Sequence, residues 1–316
     1  MSAAAIAIGA QKLSKRFGEH VAIEDLTLEV PRGSAFALLG PNGAGKTTSV
    51  RMLTALLEPT SGAAQVCGHS LGKADDAIRR ACGLLTEVPG LYPRLSAVEN
   101  LLFFAELYDV PVRDARTRIE RWLKRFELWD RRADPVGGFS TGMKQKLALS
   151  RALVHEPELL FLDEPTSGLD PESTRTVREV IRECTADGRT VVLCTHHLDE
   201  VERLCDRVAF VRGRVLAEHS IAHGAHGAHG ARRTEVTLGG EAARFAAALA
   251  QVAGVDGGSV RADGKKLSFA ADEAVNPRVV RALVEAGAEV LFVAPERGRL
   301  EALYFELVRP DANGGA

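Results

Sequence analysis

Two hydrophobic periodicities alternate along the first two thirds of the chain. Ala22 to Val30 (AIEDLTLEV) switches between apolar and polar residues, as a strand with one buried face does. Ser34 to Leu39 (SAFALL), Leu159 to Leu162 and Val191 to Cys194 are short unbroken apolar runs, which suit strands of a parallel sheet covered on both faces. Thr47 to Leu57 (TTSVRMLTALL) reads as an amphipathic helix. Ser96 to Phe126 carries helical spacing, with Trp122, Leu123 and Phe126 repeating on it, and Gly137 and Gly138 close this separate helical block. The pattern up to about residue 215 is that of an α/β core.

The pattern breaks at His223 to Gly230, where HGAHGAHG repeats a unit of three. Its glycines predict a flexible linker; a metal site built from the three histidines is the alternative, although no Cys or carboxylate joins them. Beyond it, Thr234 to Leu238, Glu241 to Gln251, Val260 to Ala262, Leu267 to Ala270, Asn276 to Ala286 and Glu289 to Val293 read as strand, helix, strand, strand, helix, strand. That order predicts a small ferredoxin-like α+β module. An amphipathic segment, Leu300 to Val308, is expected to dock back onto the protein, and the final residues to fray. The expected organisation is a nucleotide-binding domain over 1–220 with a helical subdomain at about 88–150, a linker at 221–231, the ferredoxin-like module at 232–310 and a disordered tail at 311–316.

Composition changes this picture little. A chain of 316 residues, 46% hydrophobic and 26% charged, has the make-up of an ordinary globular protein of about two domains. No apolar run reaches the length of about 18 residues that spans a bilayer, and the N-terminus lacks the basic-then-apolar order of a signal peptide. A cytoplasmic location is the expectation. The five cysteines show no CxxC pair or metal spacing and suit reduced core residues. A net charge of −2 gives no global pull toward nucleic acid or anionic lipid.

The chemistry concentrates at two places. Gly40-Pro41-Asn42-Gly43-Ala44-Gly45-Lys46-Thr47-Thr48 fits the phosphate-binding pattern GxxxxGK[ST] between a predicted strand and a predicted helix. Glycines let successive N–H groups turn inward around phosphate oxygens, and the helix N-terminus adds its dipole. Lys46 supplies a charge for the β/γ-phosphates, and the Thr47 hydroxyl is placed to ligate Mg²⁺. The second place is Asp163-Glu164, two carboxylates at the C-terminal end of an apolar strand, the edge where ligands sit in such sheets. Asp163 suits Mg²⁺, and Glu164 suits orienting or deprotonating an attacking water; a solvated helix-cap pair is the bland alternative.

With these motifs in order, residues 5 to 215 resemble the nucleotide-binding subunit of an ATP-binding cassette (ABC) transporter. Phe139 to Gln145 (FSTGMKQ) occupies the place of the signature LSGGQ, ahead of Asp163-Glu164-Pro165; Ser167-Gly168-Leu169-Asp170 matches the D-loop; Thr195-His196 follows an apolar strand as the switch histidine does. The fold class implied is a P-loop ATPase core, a mixed sheet with an antiparallel β-subdomain and a helical subdomain. The resemblance further implies head-to-tail dimers enclosing two ATP molecules, with Ser140, Thr141 and Gly142 acting in trans on the γ-phosphate held by the other copy. His196 would act in cis and Asp170 would couple the two sites. Phe17 stands where the family stacks an aromatic on adenine; a core aromatic is the rival reading.

Two positions depart from the family pattern. Thr141 replaces the first signature glycine and adds a Cβ. Glu87 stands where most members carry a glutamine that senses Mg²⁺ and the membrane partner; a carboxylate still ligates Mg²⁺ but donates no hydrogen bond when ionised. The stretch from Pro89 to Leu101 is similar to subunits of drug, antibiotic and polysaccharide exporters, whose helical subdomain grips a cytoplasmic helix of a separate membrane permease. Tyr92, Phe103, Phe104 and Tyr108 are candidates for that groove, with one or two expected exposed. The implied function is ATP-driven export, with the chain peripheral on the inner face of the membrane through the permease. A soluble cassette ATPase acting on ribosomes or DNA is the alternative, disfavoured by the single phosphate loop and the absence of sustained heptads; a ligand-sensing switch that only binds ATP is a third, disfavoured by the intact Glu164 and His196. No nucleic-acid partner is expected.

Overall fold

Two long strands, β1 (Ile6–Phe17) and β2 (His20–Pro31), pair antiparallel and turn Ile8, Leu13, Ile23, Leu26 and Leu28 inward, as their alternation dictates. The computed structural model describes residues 5–221, 233–295 and 299–308. The His223–Gly230 repeat and the 311–316 tail lie outside the described residues.

The chain continues through β3 (Ala35–Leu39), buried along its length, and α1 (Lys46–Leu53). Next come β4 (Ser61–Val66), β5 (His69–Ser70), α2 (Asp75–Ala81) and β6 (Cys82–Leu85). The helical block follows as α3 (Ala97–Leu107), α4 (Val112–Arg125) and α5 (Thr141–Leu153). It leads into β7 (Leu159–Asp163), α6 (Pro171–Ala186), β8 (Thr190–Thr195), α7 (Leu198–Leu204), β9 (Arg207–Val211) and β10 (Val215–Ser220).

The central sheet has the order β10-β9-β3-β8-β7-β6. Five of its strands are parallel, and β10 returns antiparallel beside β9. The second sheet, β2-β1-β4-β5, is antiparallel throughout. One apolar core joins the two: Ile8, Leu13, Ile23 and Leu28 pack with Phe36, Leu38, Met52, Phe161 and Val192. All five cysteines lie buried and unpaired in this part of the chain.

One helix prediction needs correction, and the helical block takes a definite form. The helix over 47–57 ends at Leu53, because Ala55 adopts a left-handed φ of 53° and the amides of Leu56 and Leu57 both turn back to Arg51 O at 2.9 Å. The helical stretch 96–126 is two helices, broken where Asp109 takes a φ of 55° and Pro111 follows. Ser96 caps the first, accepting from Glu99 N while Glu99 accepts from Ser96 N, a reciprocal capping box.

The described chain divides into two units. The first runs to Ile221 and includes the chain again from Glu306; the second ends at Phe305. In the second, β11 (Arg233–Leu238), α8 (Ala246–Ala250), β12 (Val255–Asp263), β13 (Lys266–Ala271), α9 (Asn276–Glu285) and β14 (Val290–Pro295) form an antiparallel sheet of order β12-β13-β11-β14. The predicted helix over 241–251 opens with a 3-10 turn at Ala242–Phe245, and the strand expected over 260–262 is nine residues long. Val236, Leu238, Leu267 and Phe269 pack under Leu249, Val279 and Leu283 as this unit's own core. The last helix, α10, is Arg299–Val308; in its closing residues, within the first unit, Val308 O accepts from Arg212 Nη1 at 3.0 Å.

Candidate functional site

Parallel register brings the chemistry together. Leu39 pairs with Thr195, Asp163 with Cys194, and Leu85 with Leu162, so the segments that follow β3, β6, β7 and β8 all leave one edge of the central sheet. Gly40, Glu87, Glu164 and His196 follow those strand ends.

The loop from Gly40 to Gly45 is shaped by contacts that exclude side chains. A Cβ on Gly40 would lie 2.1 Å from Val211 O, and one on Gly45 2.5 Å from Ala22 O at a φ of 94°. Gly45 is also the residue before α1, so the loop delivers the free amides of a helix N-terminus. Lys46 is buried, with Nζ donating to Gly40 O at 2.6 Å and Pro41 O at 3.1 Å. Pro41, Asn42, Gly43, Ala44 and Thr48 complete the loop and the start of the helix.

Thr47 Oγ1 donates to Asp163 Oδ2 at 2.7 Å, joining the helix start to the end of β7. Burial pushes the Asp163 carboxyl up from its ordinary pKa; the Thr47 hydroxyl and Lys46 oppose that, while the carboxylates of Glu164 and Glu87 add to it. Glu87 itself is exposed. The edge thus holds hard oxygen donors of high negative density around one hydroxyl, the donor chemistry that suits Mg²⁺.

Glu164 is the most constrained residue of the site. It is 9% exposed, and its backbone takes a left-handed φ of 48°, costly for a residue with a Cβ. Its amide donates to Cys194 O at 2.9 Å. Oε2 accepts from Thr195 Oγ1 at 3.1 Å; Oε1 accepts from His196 N at 3.1 Å and stands 2.7 Å from His196 Nδ1. A proton on Nδ1, donated to that carboxylate, leaves Nε2 of a neutral ring as an acceptor. Both carboxylate oxygens are therefore fixed by the chain end of β8, an arrangement able to aim a carboxylate at a water. The Glu164–His196 pair excludes the solvated-cap alternative.

The signature residues sit elsewhere on the unit. Ser140 is the N-cap of α5, accepting from Met143 N at 3.2 Å, and Thr141 is exposed as its first residue. Space for a Cβ on Gly142 is bounded by Leu169 at 3.5 Å, Ser173 at 3.7 Å and Asp170 at 3.9 Å. Asp170 caps α6, accepting from Glu172 N and Ser173 N, and these bonds hold its carboxyl below its ordinary pKa. The structure thus joins signature and D-loop to each other. Phe17 closes β1 with its ring half exposed and Lys15 Nζ 5.3 Å from its centroid, so it is not a core aromatic. Of the groove candidates, Tyr92 and Phe103 are exposed, whereas Phe104 and Tyr108 are half-buried. Tyr92, Phe103 and Phe104 form a ring cluster, with Phe103 edge-on to the other two.

Three residues beyond the predicted set support the site. Thr195, fully buried, bonds Glu164 and accepts from His197 N at 3.0 Å. Gln145 Nε2 reaches Pro165 O at 3.3 Å and Glu164 O at 3.5 Å. Glu200 on α7 accepts from Thr166 Oγ1. Gln145 and Thr195 lie inside the signature and switch motifs without a role read for them there, and the sequence signal at Glu200 is only a polar side chain at a position whose periodicity points inward.

Comparison with known proteins agrees with this geometry. Residues 23–167 match the family model described as ABC transporter. The daunorubicin resistance ATP-binding protein DrrA3 of Streptomyces coeruleorubidus is 39% identical over 308 residues, 96% of each chain. The linearmycin resistance ATP-binding protein LnrL of Bacillus subtilis (strain 168) is 35% identical over 209 residues, 66% of this chain and 67% of that protein. A solved ATP-binding subunit of an ABC transporter superposes with a TM-score of 0.64 at 34% identity, over 68% of this chain and 90% of that one. The ATP-binding cassette MJ0796, solved as a dimer in a post-hydrolysis state bound to ADP and Pi, gives 0.60 at 26% identity, over 68% and 98%. Among the described residues no helix is long and apolar enough to cross a membrane. Phosphate loop, carboxylate edge and full-length likeness together make this chain a member of the ABC transporter family, an ATP-binding subunit with ATPase activity.

Proposed function

We propose that this chain hydrolyses ATP between two copies of itself to drive export through a separate membrane permease. The observation that carries the reading is the carboxylate of Glu164, held by Thr195 and His196 at the sheet edge where the Gly40–Thr48 loop opens.

The loop amides and the N-terminus of α1 bind the phosphates, and Lys46 exchanges its bonds to Gly40 O and Pro41 O for β/γ-phosphate oxygens. Phe17 offers an exposed ring for the adenine. Thr47, Asp163 and Glu87 would hold Mg²⁺, whose charge offsets that developing on the phosphate oxygens. Glu164 orients the attacking water and takes its proton as the bond from the γ-phosphorus to the bridging oxygen breaks; His196 fixes Oε1 through its amide and Nδ1.

Ser140, Thr141 and Gly142 open the N-terminus of α5 to solvent, a ready anion site for a phosphate bound by a second copy. The dimeric MJ0796 cassette supports such an assembly. Export is supported by DrrA3, LnrL and the Nod factor export protein of Ralstonia nicotianae, 37% identical over 213 residues. The exposed rings of Tyr92 and Phe103, with exposed Leu107 one turn beyond Phe103 on the same helix, supply an apolar patch for a permease helix. In this reading the chain works on the inner face of the membrane, held there by that partner.

Replacing Glu164 by Gln keeps the shape and removes the base. Glu164→Gln should bind ATP with an affinity within a few-fold of the parent, lose about a hundredfold or more of kcat, and accumulate as an ATP-bound dimer in size-exclusion chromatography. Hydrolysis at the parental rate would overturn the role given to Glu164.

A further inference from the structure

The segment from Glu164 to Asp170 is gripped from two sides. On one, Gln145 of α5 holds the carbonyls of Glu164 and Pro165. On the other, Thr166 Oγ1 donates to Glu200 Oε1. Glu200, on α7, lies four residues beyond His196, and its side chain is 2% exposed.

A carboxylate that deep needs a counter-charge, and Arg178 of α6 provides one: Nη2 stands 3.5 Å from the same Oε1. The pair is open rather than closed. Glu200 Oε2 and Arg178 Nε are both buried and both without a hydrogen-bond partner. They are the matching halves of a bidentate fork. Three elements thus meet at one carboxylate: the loop leading to Asp170, the helix that Asp170 caps, and the helix that follows His196.

We propose that Glu200 is a positioning residue for hydrolysis, which through Thr166 and Arg178 locks the 164–170 loop to the helix behind His196. The inference rests on the roles given above to Glu164 and His196. Movement of His196 toward or away from a γ-phosphate then carries α7, and with it Thr166 and the run of chain to Asp170. The loose ion pair gives the lock two settings, open as observed and closed with both oxygens bonded. Substrate binding needs neither setting, because none of the three residues belongs to the phosphate loop.

The test compares Glu200→Gln, Thr166→Val, Thr166→Ser and the Glu200→Gln/Thr166→Val double variant in the full chain. ATPase rates are normalised to competent sites counted by equilibrium ATP binding, with melting temperatures measured alongside. Glu200→Gln and Thr166→Val should each lower kcat per site by about tenfold or more with KM within about twofold. The double variant should be no slower than the slower single, since Glu200 joins Thr166 and Arg178 in series and losing either contact opens the same lock. Thr166→Ser, which keeps the hydroxyl, should restore the parental rate. Unchanged kcat per site in both singles, or multiplying losses in the double, overturns the proposal. A fall in melting temperature alone would mark Glu200 as merely structural and overturn it equally. Should Glu200→Gln fail to fold, Thr166→Val, at a half-buried position, decides the question. Glu164→Gln, assayed in parallel, separates the two readings: inactive Glu164→Gln with fully active lock variants rejects the lock alone, whereas active Glu164→Gln rejects the catalytic assignment beneath it.

Discussion

Gly40 owes its identity to the carbonyl of Val211, 2.1 Å from where a Cβ would stand. The obstacle is backbone, which leaves no flexible side-chain end to give way. Gly40→Ala should therefore cost about 1–3 kcal/mol of stability and weaken ATP binding by about tenfold or more, measured by denaturant unfolding and nucleotide titration. Gly142→Ala meets only ordinary contacts, Leu169 at 3.5 Å being the nearest, and serves as the control that leaves unfolding unchanged. At this scale the sequence is most readable where chemistry is local. The phosphate loop, Asp163 and Glu164 announce themselves because loop, strand end and helix start are contiguous. The supporting contacts of Thr195, Gln145 and Glu200 do not, because each acts on a residue nineteen or more positions away, and a Glu on a helix reads as solvated until its partner helix is known.

Elements meet at residues that the strand and helix periodicities do not mark, and His155 is one. Its ring stacks on Tyr108, the cap of α3, with centroids 3.8 Å apart, while Nε2 bonds Cys82 O of β6 at 3.1 Å. Burial drives its pKa down to about 4, with Arg118 and Arg189 adding to the shift and the Cys82 carbonyl opposing it. The folded chain thus holds a neutral imidazole that the unfolded chain protonates below about 6.5. Between those values the unfolded state binds more protons, so stability is fully present above pH 6.5 and is lost as pH falls toward 4. The loss has a ceiling of about 3 kcal/mol. Urea unfolding at pH 8 and pH 5 should show about 2 kcal/mol of it, and His155→Phe, which keeps an aromatic stack, should flatten the difference. Strand and helix identities were legible from periodicity, including the order of the second unit. Helix ends were not: α1 stops at Leu53 because Ala55 turns left-handed, and nothing in TALLEP marks that turn.

At the scale of the whole molecule, Ser140 and Lys46 belong to different faces of the proposed assembly. A Lys46→Ala chain keeps its signature and loses its loop; a Ser140→Ala chain does the reverse. Each alone should be inactive, and mixing them before dimerisation should restore part of the parental ATPase rate, because each mixed dimer carries one intact composite site. No recovery in dimers shown to be mixed would count against sites shared between copies. The sequence disclosed this arrangement only through resemblance, since no periodicity within one chain records what a second copy contributes.

The five cysteines carry a last consequence. Cys67 beside β4, Cys82 in β6, Cys184 in α6, Cys194 in β8 and Cys205 after α7 are all buried, and burial pushes every thiol up, Cys67 to about 11. Thiolate, the reactive form, is scarce and shielded in all of them. The folded chain is therefore silent to thiol reagents, and each cysteine acts as a clock that starts when its own element opens. The order in which the five acquire label ranks five parts of one ATPase unit by how readily they come apart, with no probe added to the protein.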